Sequence, residues 1–362
     1  MSRTVGHLDL DYFYAQVEEV EVPSLRDTPV VVCVFSGRTE ESGVVSTSNY
    51  KAREYGVKSG IPISLAKSRL NGVPATFIRM DHGKYEVYSD RVMELLRSEV
   101  DVLEQTGIDE AFFDVTKRTG GDYASASALA LRIKNRILAE EKLTCSVGVG
   151  PNKLVAKIAS DLHKPDGLTV VTDKDVPSFL APMPVAKIYG VGPKTAKLLA
   201  DEGIATISEL AVTPVERLQD LLGRKPAAYL AGASKGVDDE PVVDRVGTSQ
   251  LSRIITLKQD THDPEAIVSA LLPALQDVHE RLTSKGLFFR SVSAIGILKN
   301  LSIRSRTKTL ETPTNDRSVL EKEVRGLFAA LTSDSEDLRR AGVRIGELQD
   351  MADQSSLTEF TR

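Results

Sequence analysis

Residues 4–21 read TVGHLDLDYFYAQVEEVE. Residues 4–10 alternate toward two carboxylates, Asp9 and Asp11, and predict a strand that ends in acid. From Tyr12 to Glu21 the spacing becomes that of the opening turns of a helix. A hundred residues on, 107–115 read GIDEAFFDV, at the turn of a hairpin expected from 102–106 and 110–115. Carboxylates at the ends of two strands can meet on one sheet face. Asp9, Asp109 and Glu110 would then offer hard oxygen ligands, suited to Mg²⁺ rather than zinc. Two such ions roughly 3.5–4 Å apart would clamp the attacking and leaving oxygens of an in-line phosphoryl transfer. Neighbours in a regular strand face opposite ways, so Asp109 and Glu110 converge only if the turn distorts the strand. Singly, each acid reads as a hydrophilic strand end. Together, abutting such apolar strands, they need a reason. Asp11 and Asp114 read as structural, although period two sets Asp11 on the face of Asp9.

Outward from these stretches, residues 29–35 (PVVVCVF) are a continuous β-branched run and predict a buried strand. Residues 43–47 predict a second short strand, and 50–55 a helix that stops at Gly56. Residues 85–100 predict a helix with Tyr88, Val92, Leu95 and Leu96 on its apolar face. Residues 125–141 predict another, with Leu129, Ile133 and Ile137 in one stripe. A strand at 144–149 follows, then a helix at 152–161 opening after Pro151. Helices alone are expected over 177–234, which marks a boundary near residue 170. Residues 236–244 (GVDDEPVVD) read as an acidic, Pro-containing linker. From 245 the pattern returns to strand–helix–strand, and the tail from about 348 reads as polar and disordered.

The 362 residues suffice for two or three domains of roughly 150 each. A hydrophobic share of 41% and a charged share of 27% exclude collagen-like, disulfide-scaffold and wholly disordered classes. No apolar run approaches the roughly 18 residues of a membrane helix, and the early carboxylates do not suit a secretory signal. Cys33 and Cys145 form no CxxC and have no histidine pairs nearby, which argues against zinc and against a disulfide framework. Cytoplasmic residence is expected. Net charge is -5, from 46 basic against 51 acidic residues, but its distribution is uneven. Residues 245–347 carry 16 basic and 13 acidic side chains, and 281–308 carry seven basic and no acidic one. Such a stripe suits a phosphate-tracking surface or a solvated sheet face equally well.

Six blocks carry a resemblance: LDLDYFYAQVEEV (8–20), PVVVCVFSGR (29–38), TSNYKAREYGVKSGIP (47–62), GIDEAFFDV (107–115), SVGVGPNKLVAKIASDLHKPDG (146–167) and YGVGPKTAKLLADEGI (189–204). In this order they resemble the Y-family DNA polymerases, of the archaeal DNA polymerase IV type, across about residues 4–345. The resemblance implies an α+β multidomain, right-hand polymerase. Its parts would be a ferredoxin-like palm (1–12 and 80–170), small fingers (13–79) and a helical thumb with a helix-hairpin-helix (171–235). The linker 236–244, an α/β little finger that binds DNA (245–347) and the tail 348–362 would follow. The implied reaction adds dNTPs to a primer 3′ end on a DNA template, releasing pyrophosphate. It needs two Mg²⁺ ions, for which Mn²⁺ can substitute. Short fingers, with Ser46 and Val34 leaving room around the nascent pair, imply low fidelity and translesion synthesis in DNA repair. All 362 residues are assigned, so no proofreading exonuclease is expected. A monomer with no membrane partner is expected.

The resemblance also implies roles. Asp9 and Asp109 would bridge the two ions, Glu110 would hold the ion at the primer hydroxyl, and Leu10 would lend its carbonyl to the nucleotide-side ion. Tyr14 would be the steric gate beneath the sugar. Tyr50 and Arg53, three apart on one helical face, would grip the triphosphate with Thr47 and Lys164. Asn152 and Lys153, at a helix start where free N–H groups favour phosphate, would touch the primer backbone. Gly190 and Gly192, before the helix 194–201, would let duplex phosphate approach a helix N-terminus without sequence preference. Arg290, Lys299, Arg304, Arg306 and Lys308 would follow template and primer phosphates. Gln354, Leu357 and Phe360 resemble the peptide that docks on a sliding clamp, with Thr361 in place of a second aromatic.

Two rival readings differ in class. Nucleotidyl cyclases share paired carboxylates on a palm-like fold, but would not need the helix-hairpin-helix or the basic third domain. A non-catalytic DNA-binding module would not need the acids and the triphosphate grip together.

Overall fold

The computed structural model of the chain describes residues 3–39, 41–244, 249–334 and 336–350. The opening alternation forms β1 (Val5–Leu10), and the helix behind it is α1 (Phe13–Glu21). Tyr12, between them, takes a left-handed φ of 37°, which ends the strand at Leu10. Next come β2 (Val30–Phe35), β3 (Gly43–Ser48), α2 (Tyr50–Glu54), α3 (Ile63–Arg69) and β4 (Thr76–Arg79). Asn49 caps α2 by accepting the Ala52 N–H. Then follow α4 (His82–Glu99), β5 (Val102–Gln105), β6 (Glu110–Asp114), α5 (Thr116–Thr119), α6 (Tyr123–Glu141), β7 (Cys145–Gly150), α7 (Lys153–Ser160) and β8 (Leu168–Val170). The run of helices comprises α8 (Val176–Leu180), α9 (Pro193–Asp201), α10 (Ile207–Val212), α11 (Val215–Leu222) and α12 (Arg224–Ala233).

The largest sheet of this part has the order β5-β6-β1-β7-β8. β1 runs antiparallel to both β6 and β7, with Asp9 opposite Glu110 on one side and Ser146 on the other. Alternation sorts the two faces. Leu8, Leu10, Ala111, Phe113, Val147 and Val149 face one way and join Val92, Leu96, Ile133 and Ile137 of α4 and α6 in a common core. Burial of each of these side chains other than Ala111 contributes about 1.5–3 kcal/mol. His7, Asp9, Glu110 and Phe112 face the other way, where α7 lies against β1 and β7. Gly148 permits that approach: a Cβ there would sit 2.1 Å from the Ala156 carbonyl oxygen and 2.4 Å from the Ser160 nitrogen. Backbone cannot yield as a side chain can. Gly148→Ala is therefore expected to lower unfolding stability by about 3 kcal/mol, the overpacked end of the usual range, measurable by urea denaturation.

After α12 come β9 (Gln250–Thr261), α13 (Pro264–Thr283), β10 (Leu287–Leu298), β11 (Ile303–Thr314), α14 (Arg317–Leu331), β12 (Leu338–Gly346) and β13 (Gln349–Asp350). The sheet order is β11-β10-β12-β9, and α13 and α14 cover one face with a core of Leu271, Leu275, Val292, Ala294, Phe328, Val343 and Ile345. The chain divides into two compact units. One is residues 1–33, 45–61 and 68–245; the other is 34–44, 62–67 and 246–362. In the second unit, the Arg38 guanidinium bonds the Leu257 carbonyl at 2.6 Å and the Asp260 carboxylate. The segments 34–44 and 62–67, read as fingers, thus cluster with the last unit.

Several expectations change. α3, β4 and β8 lack a sequence signal: β4 and β8 are four and three residues long, with no alternation to detect. Gln349 and Asp350, placed in the polar tail, pair with Phe288 and Leu287. The acidic linker is pinned rather than loose. Asp238 accepts the Leu154 N–H at 2.9 Å, Gly236 accepts from Asn152 at 2.7 Å, and Asp244 bonds Arg97 at 2.5 Å. Among the described residues no helix is long and apolar enough to cross a membrane.

Candidate active site

The end of β1, the start of α1 and the turn before β6 open on a cleft of about 280 Å³. Asp9, Leu10, Tyr14, Thr47, Tyr50, Arg53, Asp109 and Lys164 all line it. Asp109 lies outside the regular strand, and its carbonyl accepts the Leu10 N–H at 2.8 Å. The turn thereby removes the alternation that would have sent its side chain to the far face. Burial pushes the carboxyls of Asp9 and Asp109 up; Lys164, at 2.7 Å from Asp9, opposes the rise at Asp9. Lys164 also meets Asp161 at 3.0 Å. Its pKa is raised: burial lowers it, but the two carboxylates outweigh that.

Glu110 stands directly across from Asp9 but opens elsewhere. It lines a neighbouring cavity of about 520 Å³ with Phe112, Lys157 and Tyr189. Its carboxylate meets Lys157 at 2.6 Å and lies 3.4 Å from His7 Nε2. Among the described residues, no three carboxylates, histidines or cysteines come together as a metal-binding group. Asp9 and Asp109 offer hard oxygens in one cleft and suit a divalent cation; Glu110, as placed, does not join them. Asp11 does not line the cleft. It is buried and accepts from Ser146 at 2.7 Å, Thr144 at 2.9 Å and the Asp166 N–H at 2.8 Å. Asp114 accepts the Thr116 N–H at 2.7 Å.

On the opposite wall, the Tyr14 ring stacks on Tyr85, with centroids 4.3 Å apart and planes at 19°. Tyr85 is itself fixed, donating to Glu18 at 2.6 Å. Arg53 stacks over Tyr50 at 4.8 Å and donates to the Ser48 carbonyl at 3.0 Å. Tyr12 also lines the cleft, packed edge-on to Tyr50 at 5.2 Å, with its hydroxyl on Glu19 at 3.0 Å. Sequence reasoning missed Tyr12, Phe13 and Ser59; only the unusual φ of Tyr12 would have marked that residue, and φ is not written in sequence.

Asn152 and Lys153 are corrected. Both are buried, at 6% exposure. Asn152 caps α7 by accepting the Val155 N–H, Asp238 takes the Leu154 N–H, and Lys153 donates to Glu104 at 2.8 Å. The helix N-terminus expected to meet phosphate is thus already filled by carboxylate and amide. Gly190, at φ 87°, and Gly192, the N-cap of α9, are placed differently. A Cβ on Gly192 would touch nothing within 4 Å, so the turn is open at that point.

The basic stripe is split by the register and by acidic partners. Arg304, Arg306 and Lys308 pair across β10 with Gly296, Ala294 and Val292, and so share the helix-covered face. Lys308 meets Glu323 at 2.8 Å, and Arg304 pairs with Glu336. Arg290 donates to the Leu310 carbonyl at 3.1 Å, and Lys299 lies exposed in the β10–β11 turn. The uncovered face has a different character. Ser252, Arg344, Ser293 and Thr307 form one row across all four strands. Thr256, Arg340, Ile297 and Ile303 form another. Neither row contains an acid. Gln354, Leu357 and Phe360 lie outside the described residues.

Family models described as the impB/mucB/samB family and its C-terminal domain match residues 8–161 and 248–358, and one for the IMS family HHH motif matches 173–204. DNA polymerase IV of Methanosarcina acetivorans is 43% identical, over 99% of this chain and 100% of its own length. DNA polymerase IV of Saccharolobus solfataricus is 37% identical, over 94% and 95%. A solved Y-family DNA polymerase chimera of Dbh and Dpo4 superposes with a TM-score of 0.90 at 34% identity, covering 96% of this chain and 99% of that one. An insertion ternary complex of Dbh DNA polymerase gives 0.71 at 34% identity, covering 95% and 98%. With full-length relatives well above the level at which a family is shared, and the same architecture, the chain belongs to the Y family of DNA polymerases.

Proposed function

We propose that the chain is a template-directed DNA polymerase that extends a primer 3′ end with dNTPs, bypasses damaged template bases at low fidelity and has no proofreading exonuclease. The carrying observation is the cleft itself, where Asp9 and Asp109 meet Tyr14, Thr47, Tyr50, Arg53 and Lys164. Asp9, Asp109 and the Leu10 carbonyl would hold Mg²⁺ or Mn²⁺, with Glu110 serving a second ion at the primer terminus. Bound there, the ions would neutralise phosphate charge and ease loss of the primer hydroxyl proton. Arg53 and Lys164 bind and orient the triphosphate as fork and point charge. Tyr14, backed by Tyr85, leaves no space for a 2′-hydroxyl. Ser46, small and on the cleft wall, leaves the nascent pair loosely held.

Duplex would meet the open turn at Gly190 and Gly192, and the two sheet rows of Arg340 and Arg344, neither of which carries an acid. Replacing both arginines by alanine is expected to weaken DNA binding about tenfold and to reduce the salt slope by roughly 2. The pair Arg304→Ala and Lys308→Ala, whose cations already have acidic partners, should move the slope less. Fluorescence anisotropy across a salt series distinguishes the two. The protein works as a cytoplasmic monomer, and the peptide at Gln354, Leu357 and Phe360 recruits a sliding clamp. Primer extension with Mg²⁺, with chelator, and from a mismatched terminus tests the reaction. Extension only with metal, and no shortening of the mismatched primer, is expected; no extension with DNA still bound would favour a non-catalytic module.

A further inference from the structure

Asp109 and Glu110 adjoin in sequence yet line different cavities, and Lys157 holds Glu110 in its own. Its Nζ donates to Glu110 Oε2 at 2.6 Å and lies 3.3 Å from His7 Nε2. Ser160 decides the state of that histidine. The Ser160 hydroxyl donates to the Lys157 carbonyl at 2.8 Å, so its oxygen accepts Nδ1–H of the buried His7, also at 2.8 Å. Burial disfavours the imidazolium, so the ring is neutral and Nε2 is a bare acceptor. An ammonium can only donate, so Lys157 serves Glu110 and His7 together, although His7 Nε2 also stands 3.4 Å from the carboxylate.

We propose that Lys157 is a resident counter-ion: it occupies Glu110 in the free protein and yields that carboxylate to a divalent cation, while His7 retains the ammonium. This rests on the reading of Glu110 as a metal ligand. A cation stripped of its carboxylate is costly when nothing replaces it. Here the ammonium keeps the His7 nitrogen and two aromatic faces, Tyr189 at 5.8 Å and Phe112 at 6.0 Å. Release of Glu110 is therefore a change of partners rather than the exposure of an orphan charge. It also accounts for the missing third carboxylate in the cleft of Asp9 and Asp109.

The consequence is competition. Removing the ammonium should strengthen metal binding, the opposite of what general damage to the site would do. The test is titration of Mn²⁺ into the full chain without DNA or nucleotide, following the free-ion signal by electron paramagnetic resonance. Lys157→Met should bind Mn²⁺ about fivefold more tightly than wild type, the upper end of the scale for one partly exposed ion pair. Lys157→Arg should behave as wild type, and Lys157→Met with Glu110→Gln should lose the gain. Lys157→Gln, also neutral, repeats the test if the Met variant melts early. Equal affinity in wild type and both neutral variants, with Glu110→Gln weakening each, overturns the counter-ion and leaves Glu110 as a ligand. No effect of Glu110→Gln in any background overturns the ligand reading and the counter-ion with it.

Discussion

Asp109→Ala abolishes primer extension, by at least about a thousandfold, while leaving DNA affinity within about twofold. The residue sits in the turn before β6, where its backbone carbonyl takes the Leu10 N–H at 2.8 Å. That bond survives the substitution, so the turn and the end of β1 stay in place. What disappears is one of the two carboxylates in the cleft. The other, Asp9, is already paired with Lys164 at 2.7 Å. Asp9, left as the one carboxylate lining the cleft and with an ammonium on it, would hold a divalent cation far more weakly. The proposed grip on DNA lies elsewhere, so anisotropy should report near-normal binding. Retained extension would remove Asp109 from the chemistry.

Tyr14→Ala raises ribonucleotide incorporation relative to deoxyribonucleotide by about a hundredfold, the scale on which a packed wall rejects an extra group. The ring does not swing aside easily. It lies flat on Tyr85 at 4.3 Å, and Tyr85 is anchored through Glu18, which also bonds Lys84 at 2.7 Å. Alanine removes the ring and leaves Tyr85 behind it, so the floor drops while the wall stands. Deoxynucleotide incorporation should fall far less than selectivity does. Single-turnover incorporation of matched dNTP and rNTP pairs measures both. Unchanged sugar selectivity would discard Tyr14 as the gate.

What could be read in the sequence was set by local pattern. Alternation to Asp9, the β-branched run of β2 and the stripes of α4 and α6 follow from periods of two and 3.6, and they appear in the structure. Tyr14, Thr47, Tyr50, Arg53 and Lys164 came from the family resemblance, and one cleft gathers them. Long-range pairing was not legible. Nothing near Glu110 announces Lys157, because α7 brings that lysine in over Gly148. Period two put Asp11 beside Asp9, and it stays on that side; what the pattern could not show is that Ser146 of the neighbouring strand and Thr144 just before it occupy its carboxylate and keep it from lining the cleft. The charge stripe on β11 was a count of cations without faces. Register places Arg340 and Arg344 on the open side and sets Arg304 and Lys308 against acids. Free N–H groups at Asn152 were inferred without the linker carboxylate of Asp238 that fills them.

The most direct test is primer extension with Mg²⁺ and all four dNTPs on two templates, one undamaged and one with an abasic site. Extension on the first and through the lesion on the second is the result the cleft predicts. Extension that halts before the abasic site would contradict translesion synthesis, and none on either template, with DNA bound, would contradict the polymerase itself.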